Sequence, residues 1–320
     1  MVHRLSIIKP FDPWKNKLCT CPRKYTINPY TGCSHMCLYC YATSYIGRRN
    51  SVPKDNAIRR VKNDILYLDP NLPIDMSLSS DPYPPEELKH RLTRKILEIL
   101  LPKGFKVQIT TKSNLFTRDL DLISKYNVTV SITITTLDNA LAHIIEPGSP
   151  KPSERLKALE KLSEFNVPFS VRVDPIIPFL NDDEDELREL VRIVVDIGAK
   201  HVVTSTYKAR PDNFKRMVEA FSELEDKWMK LYYPKGKMHR SYAYLPLVVR
   251  KKLLGIVTSA AEKLGISYAT CREGIVTKEF FNAKSCDGTH LIPNRIPYKE
   301  VVQRIDKLKG TSNTRLSLNQ

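Results

Sequence analysis

The chain has 320 residues, with 51 Lys and Arg against 35 Asp and Glu, a formal net charge of +16 at neutral pH. At 42% hydrophobic it can bury a sizeable core; it holds no apolar run of membrane-spanning length and opens on too short an apolar stretch for a secretory signal, which points to the cytoplasm and to no membrane partner. Seven cysteines, odd in number and unevenly spaced, argue against a disulfide scaffold and for thiols used on metal, while the basic excess suits a polyanionic partner such as nucleic acid, or a solvated lysine-rich surface.

Residues 1–24 form a polar, basic N-terminal extension carrying Cys19-Thr20-Cys21. A short strand over 25–32 then enters Cys33-Ser34-His35-Met36-Cys37-Leu38-Tyr39-Cys40. Three thiols spaced CxxxCxxC let one loop wrap a single inorganic centre. A [4Fe–4S] cube takes thiolates as its usual ligands, so three local cysteines hold three corners and leave one iron open. A zinc knuckle is the alternative, but zinc sites prefer CxxC pairs and a fourth protein ligand. His35 lies too close to both neighbouring cysteines to close a tetrahedron easily.

Strands and helices then alternate, which predicts a parallel sheet or barrel. Strand candidates are 74–80, 106–111, 128–135, 167–174 and 201–206, six with the strand before Cys33. Helix candidates are 86–101, 117–126, 153–165 and 182–198, with Thr117 and Ser153 as caps and an acidic start and glycine end for the last. Along the strands, Val128, Val130, Ile132 and Ile134 share one face, and Thr129, Ser131, Thr133 and Thr135 the other. Residues 106–112 and 167–174 repeat that alternation. A repeated hydroxyl-and-charge face implies a wet lumen around a polar ligand, not the branched apolar fill of a closed eight-strand barrel. The expected fold is α/β, a partial TIM barrel (β/α)6 over 25–230 with N- and C-terminal extensions. Residues 231–320 read as a basic, aromatic C-terminal extension, with helices expected over 245–264 and near 299–309.

The aromatic Tyr39 before the last cysteine makes the loop CxxxCxΦC, which resembles the signature of the radical S-adenosylmethionine (SAM) enzymes. Asn28-Pro29-Tyr30-Thr31-Gly32-Cys33, Ser80-Asp81-Pro82-Tyr83, Thr111-Lys112-Ser113 and Ile145-Glu146-Pro147 further resemble the spore photoproduct lyase-like branch, often labelled DNA repair photolyase. The resemblance covers roughly residues 25–210. It implies a [4Fe–4S] cluster on Cys33, Cys37 and Cys40, SAM bound at the open iron, an electron donor such as ferredoxin or flavodoxin, and a 5′-deoxyadenosyl radical that takes hydrogen from a substrate. The hydrogen-returning cysteine of a true photoproduct lyase has no counterpart here between Cys40 and Cys271.

On that resemblance Tyr39, Asp81, Lys112, Ser131 and Arg172 are candidates to cradle SAM. Asp81, with Glu86 second, would take the ammonium. Lys112, ending a strand, would take the methionine carboxylate. Ser131 or Thr133 would bond the ribose, and Arg172 points into the lumen by alternation. Pro175-Ile176-Ile177-Pro178 offers a ledge for adenine. Structural alternatives are a Glu146–Arg155 ion pair and an Arg172–Asp174 pair. Cys19, Cys21, Cys271 and Cys286 match the ligand count of a second iron–sulfur centre or a structural zinc. Basic clusters at 48–49, 59–62, 208–216 and 235–240 provide phosphate contacts, and the tyrosines among 235–244 provide stacking faces for unpaired bases. Two other readings are a radical SAM enzyme acting on a protein or small metabolite, and a zinc-stabilised, non-catalytic nucleic-acid-binding protein.

Overall fold

The computed structural model of the protein describes residues 5–11, 17–77 and 79–297. The expected basic helix near 299–309 lies outside the described residues. One sheet carries the fold. Its strands are β1 (Lys9–Pro10), β2 (Tyr25–Ile27), β3 (Ile74–Met76), β4 (Val107–Thr111), β5 (Val128–Thr133), β6 (Phe169–Ile176), β7 (His201–Thr206) and β8 (Ser267–Thr270), and they neighbour one another in chain order. β1 is antiparallel to β2, and every other pairing is parallel. Each crossover steps one strand in the same sense. The helices therefore collect on one face and the sheet curls towards a barrel. β1 and β8 do not pair, so it stays open, a partial barrel as the alternation predicts.

All six expected strands are present, and a seventh parallel strand joins them. Helix Leu247–Lys263 leads into β8, which lies along β7 from Ser267 opposite His201 to Thr270 opposite Thr204. The sheet therefore continues past residue 230 into what reads from sequence as an extension. β8 is only four residues long and lacks clean alternation, so its periodicity is weak. The 86–101 segment is two helices, Glu87–His90 and Leu92–Leu100, broken at Arg91 with φ +49°. The helix expected over 117–126 is a 3-10 turn, Leu115–Asp119, followed by Leu120–Ile123. Ser153 does not cap its helix; Pro152 starts it, its ring suited to the first helical position, and Ser153 turns to Asn139 instead.

Register sets the two faces apart. Ile109 lies opposite Val130, and Ile132 opposite Val171, all buried under the helices. Gln108 opposes Thr129, Ser131 opposes Ser170, and Thr133 opposes Arg172, which builds the polar lumen. Its lower end is stoppered by the chain itself. Lys24 reaches Asp75 and Asp287 at 2.6 Å each, Gln108 donates to the Asp287 carbonyl, and the Cys286 carbonyl lies 3.3 Å from His201 Nε2. Burial works against the Lys24 charge, yet Asp75 and Asp287 hold its pKa well above the usual lysine range. The polar strand face thus meets a polar plug.

Candidate active site

The cysteine loop sits at the C-terminal end of the strands, where α/β barrels carry their chemistry. Neighbours clamp its backbone on every side. Cys33 N–H donates to Arg49 O at 2.9 Å, Leu38 N–H to Ile145 O at 2.9 Å, and Gly148 N–H to His35 O at 3.0 Å. Helix Pro211–Ala220 backs the loop: Asn213 donates to Tyr39 O at 3.0 Å, and Arg216 to Leu38 O and Cys40 O at 3.1 and 3.0 Å. Two glycines permit this closeness. Gly32 has φ +79°, and a Cβ there would lie 2.3 Å from Asn50 O. A Cβ on Gly148 would lie 1.9 Å from Ser34 O. Gly148→Ala should therefore push the loop off its support, at a cost of about 1–3 kcal/mol. Thermal melting checks it; an unchanged midpoint contradicts this reading of the clamp.

Behind the loop lies a buried charge cluster. Tyr39 donates to Glu146, and Glu146 pairs with Arg155, both carboxylate and guanidinium being sealed from solvent. Arg155 also donates to Thr133 O at 3.0 Å. Burial would raise the Glu146 carboxyl, but Arg155 and then Lys112 hold it below the usual range. Lys112 stands over the Tyr39 ring, 5.6 Å from its centre. Burial opposes its charge, while Cys37 and Glu146 preserve it.

The candidate residues fall into distinct places. Tyr39, Asp81, Lys112 and Arg172 line one cavity of about 1200 Å³ together with Cys33, Cys37 and Cys40. Asp81 is heavily engaged. It accepts from Thr111 Oγ1 at 2.6 Å, Lys112 N at 2.8 Å and Tyr83 N at 2.9 Å, and His35 Nε2 lies 3.2 Å away. Burial tends to raise its carboxyl, but His35 and these donors bring it down to about 2. Asp81 thus ties the β3 loop to β4 and to the cysteine loop. Glu86 accepts from Ser34 at 2.7 Å. Ser131 is not brought to the cavity wall: it is fully buried one layer down, accepting from Ser170 at 2.9 Å. Thr133, two residues on along the same face, lines the cavity instead. Arg172 pairs with Asp174 at 2.6 Å, as the alternation allows.

Two other residues here, Glu273 and Arg272, belong to no sequence motif, and they follow the candidate ligand Cys271. Glu273 is a buried hub for Lys208 at 2.9 Å and Arg250 at 3.1 Å. Arg272 lies between the Tyr41 and Tyr242 rings, 4.9 Å from each centre. Cys271, just past β8, lies beside Arg172. Cys271, Arg272 and Glu273 follow one another in sequence, and the signal for the latter two is the unrecognised strand before them. Two expectations about the surface are corrected. Tyr242 and Tyr244 are buried, so they present no exposed face for bases. Lys208 and Arg216 of the 208–216 cluster are spent on Glu273 and the cysteine loop.

The sequence profile of the radical SAM superfamily matches residues 27–194, more than half of the chain. The chain belongs to the radical SAM superfamily. It is therefore an enzyme, of a family whose members carry a [4Fe–4S] cluster and SAM. It is 32% identical over 198 residues to an uncharacterized protein of Acidianus two-tailed virus, covering 56% of this chain and 65%, just under two thirds, of that one. It is 37% identical over 184 residues to an uncharacterized protein of Methanocaldococcus jannaschii, covering 55% and 68%. Its fold is similar to spore photoproduct lyase with bound AdoMet and dinucleoside spore photoproduct, at a TM-score of 0.61, 16% identity and 81% and 76% coverage of the two chains. It is also similar to Streptococcus suis SuiB bound to SAM, at 0.53, 14%, and 77% and 49%. No described helix is long and apolar enough to cross a membrane.

Proposed function

We propose that this radical SAM enzyme cleaves SAM reductively at a [4Fe–4S] cluster held by Cys33, Cys37 and Cys40, and abstracts hydrogen from a nucleic-acid substrate. The observation that carries the first part is the clamped loop, with three thiols facing one cavity beside a positively charged lysine. The donor set fits the group: three soft thiolates, close-packed glycines and no fourth protein ligand in the loop. A reduced cluster on Cys33, Cys37 and Cys40 would supply the single electron that reductive cleavage of SAM requires. A one-electron donor such as ferredoxin or flavodoxin would feed it. Lys112 would meet the methionine carboxylate; burial opposes its charge, and Cys37 and then Glu146 preserve it. Tyr39 and Arg155 hold Glu146 in place. Asp81 orients His35 and the β3 loop. Arg172 and Asp174 present a paired charge further along the wall. Anaerobic reconstitution, reduction and a search for 5′-deoxyadenosine test this; none formed would overturn it.

The substrate class rests on charge. Nine Lys and Arg line the cavity against five Asp. Among these, Lys9, Lys54 and Arg60 lie close to one another. Burial, then repulsion from Arg60 and Lys9, brings Lys54 down to about 8. Like charges held together in this way are relieved by an anion such as a phosphodiester. The fold neighbour's dinucleoside ligand agrees with that class.

Two outcomes follow for nucleic-acid binding. Lys54→Gln should flatten the log–log salt dependence of binding by about 0.7–0.9. Lys54 loses its proton as pH rises through about 8, so wild-type affinity should fall between pH 7 and 9 while the variant's changes less. Fluorescence anisotropy with labelled single-stranded and duplex oligonucleotides reads both. Absence of binding at low salt would remove the nucleic-acid reading.

A further inference from the structure

Every cysteine outside the SAM loop converges on one place. Cys19 and Cys21 precede β2, Cys271 follows β8, and Cys286 lies in the segment that plugs the lumen. The Cys21 and Cys286 sulfurs, 265 residues apart in sequence, are 3.4 Å apart in space. Cys19 lies against Cys21, and Cys271 is within electrostatic reach of Cys19, Cys21 and Cys286. All are free thiols.

The backbone is shaped to bring them there. Gly274, at φ +66°, donates to Leu18 O at 3.3 Å, and a Cβ on it would lie 2.6 Å from the Leu18 side chain. The Cys271 loop is thereby pressed against the residue before Cys19. Gly288, at φ +86°, approaches Ser170 so closely that a Cβ would lie 2.8 Å from its hydroxyl. That contact seats the Cys286 segment in the lumen. Only glycine reaches these conformations without strain.

Thiols that merely pack sit among apolar groups. These sit among ions. Lys24 is close to Cys21, and Arg172 and Lys208 are close to Cys271. Cations in that position offset the negative charge that clustered thiolates carry on a metal centre. A single tetrahedral zinc would draw its sulfurs to about 3.8 Å in every pair, from a Zn–S bond of about 2.3 Å. The 3.4 Å between Cys21 and Cys286 is also the spacing of two thiolates on one metal atom; in a cube they sit on different irons and further apart, so they separate on loading, and Cys19, Cys21 and Cys271 border the cavity that gives the room.

We propose that Cys19, Cys21, Cys271 and Cys286 ligate a second iron–sulfur cluster, closed by four protein thiolates. Cys19, Cys21 and Cys271 line the same cavity as the SAM loop, so the two centres face one chamber. The second centre has no open iron, and it ties the chain's N-terminal and C-terminal segments to the barrel.

The test uses the full chain, reconstituted anaerobically with iron and sulfide. The variant C33A/C37A/C40A removes the first site, so what it retains reports on the second alone. It should keep about four irons and a charge-transfer band, where wild type holds about eight, four per cube. Adding Cys286→Ser should take iron to background. In otherwise wild-type protein, Cys19→Ser with Cys21→Ser should remove about half the iron. A folded triple variant that stays colourless, or that holds zinc in place of iron, overturns the proposal. So does unchanged iron in the Cys19/Cys21 variant, which is informative even if the triple variant fails to fold. Loss of 5′-deoxyadenosine formation with this iron retained would count against the SAM reading and not against the second centre.

Discussion

Cys37→Ala should reduce SAM cleavage to the level of the no-enzyme control while leaving the protein folded. Cys37 is the buried member of the loop trio, and three ligands are the fewest that hold a cube with one open corner. The loop's shape does not depend on the thiol. Leu38 N–H is held by Ile145 O, Cys40 N–H by Cys37 O at 3.3 Å, and the Leu38 and Cys40 carbonyls by Arg216. Trimming one sulfur should therefore cost stability only on the scale of a small buried group, about 1 kcal/mol. Chromatography of 5′-deoxyadenosine and the circular dichroism melt measure the two effects separately. A variant that still releases 5′-deoxyadenosine at the wild-type rate contradicts the ligand assignment.

Arg155→Met should produce the largest loss of stability, about 3–5 kcal/mol. The guanidinium and the Glu146 carboxylate are both sealed from water, so removing one strands the other. Lys112 and the Tyr39 hydroxyl remain near Glu146 and place the loss towards the lower end. Thr133 O and Pro150 O lose their donors as well. The double variant Glu146→Leu/Arg155→Met should be more stable than Arg155→Met alone, because it leaves no buried charge unpaired. Urea midpoints decide it. A double variant as unstable as the sum of the two single variants would mean that the pair acts through shape and not through charge.

Much of the fold and part of the site were legible from local pattern. Alternation in 128–133 and 169–174 marked both the apolar face and the lumen face, because side-chain direction in a strand follows from position alone. Arg172 could be placed for that reason. The same rule misplaced Ser131, since alternation names a face but not a depth; the cavity reaches Thr133 and stops. Asp81 is read from sequence as a SAM ligand, whereas its partners in the structure, His35, Thr111 and Lys112 N–H, come from other segments. The tyrosines among 235–244 read as stacking faces because aromatic and basic residues are interleaved there. A short hairpin, Lys237–His239 with Tyr242–Tyr244, instead turns Tyr242 and Tyr244 inward.

Contacts that are short in sequence were decided by the sequence itself. Three thiols within eight residues must share one loop, whatever surrounds them, and six strands spaced by helices must build a parallel sheet. Contacts that close across the chain were decided only by the tertiary structure. Cys21 meets Cys286, Lys24 meets Asp287, and β8 lies along β7, because a singly wound sheet brings segments far apart in sequence back to one lumen. No spacing rule records that return, since it depends on how far each crossover turns the sheet and not on any residue's neighbours.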